Sequence, residues 1–312
     1  MKKIFSLITF LLIVNTALFA QAGINADGSQ PDNSAMLDVK SNSKGLLPPR
    51  LTAIQINGIV SPATGLMVYN TTIHSICWFN GASWETASNL DGKGCGSVTY
   101  GGKTYNSVII NMQCWLTENL SIGTAISGSQ DQTNNGTIEK YCYDNNPANC
   151  DVYGGLYQWA EMVQYFNGAT NTTVWNPEPT GNVQGICPAG WHIPSDDEWC
   201  QMAIYLDGTA WCMEGWNGTD IGSKLKESGT AHWAAPNTGA TNSSGFTALP
   251  GGQRGYENGG SFFLLTVNSL FWTTKAYFSS LSRFRGLSYG SSQAEAGFAV
   301  KSRGFSARCC RD

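Results

Sequence analysis

Apolar positions recur at i, i+3, i+4 and i+7 in two places along the chain, and almost everywhere else they form short runs broken by glycine. The first helical spacing is Leu156, Trp159, Ala160 and Val163. The second is Trp199, Met202, Ala203 and Leu206, with Ser195 placed to cap it, Glu198 to complete a capping box and Gly208 to stop it. Strand patterns predict a hairpin of Val98 to Tyr100 with Lys103 to Tyr105 around Gly101-Gly102. After Gly245 four more strands are predicted: Leu270 to Thr274, Phe284 to Ser288, Phe298 to Lys301 and Phe305 to Cys309. Two helices followed by a β-rich half give an α+β domain, not a chain of βαβ units.

The N-terminus follows a different pattern. Lys2 and Lys3 precede an apolar run from Ile4 to Phe19, and Ala20 offers a small residue for cleavage. That run is about 16 residues, against roughly 20 for a membrane span. Residues 1–20 therefore read as a signal peptide, and the protein as exported to the periplasm, the outer surface or the medium. No cysteine follows the cleavage point for lipid attachment, and no second apolar run reaches spanning length. Residues 21–90 carry short apolar pieces. Leu66 to Asn70 and Ile76 to Phe79 read as strands, and Asn80-Gly81 reads as a two-residue turn into Ser83-Trp84-Glu85. This leader is too poor in apolar surface for a separate domain of ordinary stability. A larger domain is expected over residues 91–312.

Composition narrows the functional classes. Charged residues make up 13% of the chain, against about 25% in an average soluble protein. The net charge of −4 supplies no electrostatic footprint for nucleic acid. Nine of the ten cysteines lie between Cys95 and Cys310, which in an exported chain reads as a disulfide framework.

Two resemblances emerge from longer motifs. The stretch SAMLDVKSNSKGLLPPRLTAIQINGIVSPATGLMVYNT resembles a leader of secreted Bacteroidetes proteins that also occurs in fibre-like surface proteins. It implies self-association through residues 21–90, as a homo-oligomer such as a trimer. From about residue 95 onward, VTYGGKTYNSVIINMQCWLTENL, KYCYDNNPANCDVYGGLYQWAEM, GICPAGWHIPSDDEW, GSKLKESGTAHW, NTGATNSSGFTALPGGQRG and GFSARCCRD occur in order. Together they resemble the Fibrobacter succinogenes major paralogous domain. That resemblance implies a C-type-lectin-like fold, distantly related to formylglycine-generating-enzyme domains, and implies no activity. Such domains usually end RCVRD, so Cys310 stands where an apolar residue is typical, and Cys200 and Cys212 are also additions.

The family pattern and the spacing together suggest bridges Cys95–Cys114, Cys142–Cys150 and Cys187–Cys309. Cys200 with Cys212 and Cys77 with Cys310 are the remaining pairings, although sequence alone does not choose among connectivities. His74, His192 and His232 show no ligand spacing with one another and no C-x-x-C occurs, so no metal is expected; His192 reads as a packed core residue. Asp144, Asn145, Asn146 and Asp151 offer oxygens for calcium but fit a capped turn equally well. Asp196-Asp197-Glu198 suits a helix N-terminus. Gly251 to Gly255 reads as a turn around a buried Arg254. Calcium-dependent sugar-binding motifs are not matched: Glu178-Pro179-Thr180 stands alone, and Gln30-Pro31-Asp32 lies in the leader.

These readings favour a non-enzymatic binding protein of the cell surface or medium, with a surface glycan or protein as its ligand. The expected face runs from Trp272 to Phe298 and offers Lys275, Tyr277, Phe278, Arg283, Arg285 and Tyr289. Trp272, Phe284 and Phe298 are expected to fill the β core instead. The alternatives are a structural or fibre-type component, a target of retroelement diversification near the C-terminus, and a copper-dependent catalyst related to formylglycine-generating enzymes.

Overall fold

The computed structural model describes residues 21–73, 75–86, 95–210, 212–257 and 259–311. The expected signal peptide, His74 and the segment 87–94 lie outside those residues. The chain divides into two compact units between Pro48 and Pro49, so the leader expected over residues 21–90 is shared between them. In the first unit β1 (Ala22–Ile24) pairs in parallel with β2 (Leu37–Val39), and Ile24, Met36, Leu37, Leu46 and Leu47 are all exposed.

The second unit opens with a four-stranded sheet, ordered β3 (Arg50–Leu51), β4 (Met67–Asn70), β5 (Ser75–Phe79) and β6 (Trp84–Thr86). Phe79 pairs with Trp84, so the turn spans residues 80–83 instead of the two expected. It is built by Asn80, whose Oδ1 accepts from the backbone of Ala82 and Ser83. A short helix, α1 (Ala53–Asn57), is closed by a capping box between Thr52 and Gln55. Ile56, Val68 and Cys77 are buried against Met112, which ties this sheet to the larger part of the unit.

The predicted hairpin forms as β7 (Val98–Tyr100) and β8 (Lys103–Tyr105). Next come β9 (Ser107–Ile110) and β10 (Gln113–Leu116), then the parallel pair β11 (Thr124–Ala125) and β12 (Glu139–Lys140). Helix α2 (Pro147–Tyr153) has proline at its first turn and Asn146 as its cap. The first predicted helix is only half right. Leu156 and Tyr157 form β13 because their backbone pairs with Ser306 and Phe305, and the helix α3 spans Trp159–Met162.

After β14 (Trp191–His192), the second predicted helix forms as α4 (Asp196–Leu206) with its full capping box, ending at Asp207 rather than Gly208. It lays Trp199 edge-on against Trp115 and Phe246, with Phe271 beside it. Strand β15 (Gly215–Asn217) and helix α5 (Ile221–Leu225) precede the hairpin of β16 (Gly251–Arg254) and β17 (Phe262–Leu265). Three long strands then form the largest sheet: β18 (Asn268–Ala276), β19 (Leu281–Ser288) and β20 (Ala294–Val300). The chain closes with β21 (Phe305–Ser306) and β22 (Cys310–Arg311). The expected strand over 305–309 breaks after Ser306, where Arg308 turns inward. The six-stranded sheet is ordered β13-β21-β18-β19-β20-β15 and the four-stranded one β14-β22-β10-β9.

Four bridges form: Cys95–Cys114, Cys142–Cys150, Cys187–Cys309 and Cys200–Cys212. The fifth expected pairing does not. Cys77 is buried among Ile56, Val68 and Met112, whereas Cys310 lies beside His192, and both thiols are free.

Long loops leave many backbone carbonyls without ladder partners, and buried carbonyls must be paired somewhere. Buried cations meet that demand. Lys226 donates to the carbonyls of Thr238, Ser288 and Ser291. Lys301 donates to those of Thr173 and Ser279 while lying 4.1 Å from the Trp159 ring centre. Arg254 reaches Gly128, Gln130 and Ser302, and stacks on Tyr141. Sparse charge on this chain is thus spent partly indoors.

Asp207 does the complementary job for donors. Its carboxylate accepts from the backbone and hydroxyl groups of Thr209 and Thr219 and from the Asp220 backbone. Burial alone raises a carboxyl pKa, but these hydrogen bonds outweigh it and hold Asp207 far below the usual range. A depressed folded pKa contributes stability that is full above the unfolded value and fades as pH falls below about 4. Asp207→Asn turns an amide NH₂ toward N–H donors, and a loss of about 3 kcal/mol is expected. Urea denaturation at neutral pH and at about pH 3 checks it: the gap between wild type and variant should narrow in acid.

Candidate functional site

The expected ligand face lies on the β18–β19 hairpin and the adjoining β20. Trp272 pairs with Phe284 and Ala276 with Ser282, so Thr273, Thr274 and Lys275 on β18 face the single residue Arg283 on β19. Such an irregularity bends a strand and re-aims its side chains. Past it, Tyr277 and Phe278 stand 51% and 57% exposed. Their rings are 4.3 Å apart, and Tyr277 lies 4.0 Å from the Phe298 ring. Lys275 pairs on the surface with Glu178 at 3.2 Å. A cleft of about 330 Å³ adjoins this tip, lined by Leu281, Phe284, Phe298 and Val300 with Glu295 and Arg303 among them. Burial raises the Glu295 pKa.

The six expected residues therefore separate. Lys275, Tyr277 and Phe278 are presented outward. Arg283 is largely covered, 4.6 Å from the Phe298 ring centre and 3.5 Å from an Asp196 oxygen. Arg285 is 7% exposed and gives two bonds to Asp196 Oδ1 and one to its carbonyl, pinning the first turn of α4 to the sheet. A surface ligand cannot reach it without breaking that contact, so Arg285 belongs to the frame. Tyr289 is half-buried against the Trp199 cluster. Trp272 is core, as expected, while Phe284 and Phe298 are half-buried and line the cleft.

The calcium candidates are partly engaged. Asn145 Oδ1 accepts from Gly128 N–H, and Asn146 Oδ1 caps α2.

A second constellation was invisible in the sequence. His192 on β14 and Cys310 on β22 are register partners in an antiparallel pair, which puts their side chains on one face. Glu198 reaches the same point from the first turn of α4. His192 Nε2 lies 2.8 Å from Glu198 Oε1 and 3.0 Å from Cys310 Sγ. Ser195 donates its N–H and hydroxyl to Glu198 Oε2, and Gln113 donates its amide to Oε1. Burial works against the Glu198 charge, but the His192 and Ser195 contacts outweigh it and keep its pKa low. The Cys310 thiol is pushed up to about 12 by burial and by the neighbouring Glu198 charge. The Cys310 thiol and the Glu198 carboxylate meet the same imidazole nitrogen, His192 Nε2, whereas in a nucleophilic triad the orienting acid holds the nitrogen opposite the nucleophile. His192 and Glu198 form the floor of a cleft of about 280 Å³ edged by Thr52, Thr72, Gln113 and Asn182.

A β-rich α+β domain held by four disulfides, with an aromatic hairpin tip beside a cleft, defines the class of protein. The model of the Fibrobacter succinogenes major domain matches residues 108–311, and the chain belongs to that family. Residues 23–102 match a phage tail like trimerisation region. No curated protein and no solved structure matches the chain. Among the described residues, no helix is long and apolar enough to cross a membrane.

Proposed function

We propose that the protein is an exported surface component that binds a glycan or protein of the cell surface, without catalysis, through the tip of β18–β19. The observation that carries this reading is the exposed ring set of Tyr277 and Phe278, backed by Phe298, beside a cleft whose lining is apolar for the most part, with Glu295 and Arg303 among it. Exposed aromatics presented by a rigid sheet supply contact area at low entropic cost. The long Cys187–Cys309 bridge and the α+β layout favour a lectin-like frame. Against copper-dependent catalysis, the two free thiols sit in separate clusters and form no pair.

The trimerisation-region match and the exposed Ile24, Met36, Leu37, Leu46 and Leu47 favour a homotrimer built through the N-terminal part, which multiplies weak contacts. A fibre-type structural role shares that support. A glycan and surface-protein array probed with residues 21–312, alongside Tyr277→Ala and Phe278→Ala, tests the binding reading. Hits weakened at least about tenfold in the variants are expected, in line with loss of about 1.4 kcal/mol or more. Hits unchanged in both variants contradict it.

A further inference from the structure

We propose that His192, Glu198 and Cys310 form a mononuclear site for a divalent transition metal of the zinc class, open on one side to the cleft edged by Thr52, Thr72, Gln113 and Asn182. The three donor atoms, one each of nitrogen, oxygen and sulfur, lie within 4.8 Å of one another. Their separations are 2.8 Å (N to O), 3.0 Å (N to S) and 3.7 Å (O to S). Zinc bonds of about 2.0–2.3 Å in a tetrahedral shell put ligand atoms roughly 3.3–3.7 Å apart. The two short edges need to open by about half an ångström, within the reach of side-chain torsions, and the long edge already fits.

The surroundings are those of a built site. Glu198 is oriented by Ser195 and Gln113, outer contacts of the kind that fix a ligating carboxylate. His192 and Cys310 are held opposite each other by strand register and are buried, as is Glu198. Three protein donors leave one position for water or a ligand group, and the cleft lies on the side of His192 and Glu198. Imidazole, carboxylate and thiolate together suit zinc, cobalt or ferrous iron, not calcium or magnesium.

Cobalt is the probe. Residues 21–312 with native disulfides, stripped with a chelator, are titrated with Co²⁺ and then Zn²⁺. One equivalent of cobalt with a thiolate charge-transfer band in the near ultraviolet, displaced by zinc, is expected. Cys310→Val should abolish the band and weaken zinc binding by more than about 100-fold, beyond the 10–100-fold that loss of an outer contact costs. Cys77→Val should leave both unchanged. Wild-type protein without the band, a band that survives Cys310→Val, or one lost in Cys77→Val overturns the proposal. Array binding at the β18–β19 tip is read separately, so either reading can fail alone.

Discussion

Replacing Arg308 with methionine is expected to lower stability by about 3–5 kcal/mol, the cost of breaking a buried charged network. Arg308 is fully buried, and its guanidinium donates to Asn119 Oδ1 and to the carbonyls of Leu116, Phe246 and Thr247. The group also lies 4.4 Å from the centre of the Phe246 ring, against the cluster that receives α4. Methionine fills much of the volume but takes the donor from three buried acceptors and from the partly buried Thr247 carbonyl, each buried one costing about 1–3 kcal/mol before relaxation. The melting temperature should fall by about 10 °C, given roughly 2–4 °C per kcal/mol at this size. Arg308→Lys keeps the charge but loses the planar fork, so an intermediate loss is expected. Full stability in Arg308→Lys contradicts the assignment of several simultaneous bonds.

The second large effect concerns Cys187–Cys309, which closes a separation of 122 residues. In the chain-entropy picture, such a closure contributes about 5 kcal/mol, against about 2.5 kcal/mol for the eight-residue separation of Cys142–Cys150. Both cysteines of the long bridge sit in the larger core, with Trp159, Ile186 and Ala307. The double variant Cys187→Ala/Cys309→Ala should therefore lose roughly twice the stability lost by Cys142→Ala/Cys150→Ala. Denaturant titration of the two under non-reducing conditions checks it, and equal losses contradict the ordering.

How much of this was legible in the sequence depended on whether the signal was local. Helix α4 was readable because Ser195 and Glu198 announce its start within four residues. The β18 and β19 strands were readable from alternation and three cysteine pairings from spacing and family pattern, while Cys200–Cys212 was one of two pairings of the leftover cysteines, the other of which does not form. Helix α3 was misread at its start because Leu156 answers to Tyr141 and Ser306, neither of them near it in the chain. Arg285 was taken as a ligand contact because a strand pattern does not reveal which face Asp196, 89 residues away, will cover. The buried cations were present in GSKLKE, GGQRG and SARCC, yet their carbonyl partners are distant loops. The metal-type cluster had one visible clue, the cysteine at 310. Its meaning required the register that sets His192 opposite it.

The proposed recognition surface is the β18–β19 tip. The tip is the natural place because Tyr277 and Phe278 are exposed while Arg285 and Trp272, on the same two strands, are committed to packing. Hydrogen–deuterium exchange on the protein bound to its strongest array hit tests that claim most directly. Protection concentrated in residues 275–283 and 295–303, around the tip and its cleft, is the expected result. Protection confined to residues 49–86 or 95–170, with the β18–β19 tip exchanging as in the free protein, would contradict it.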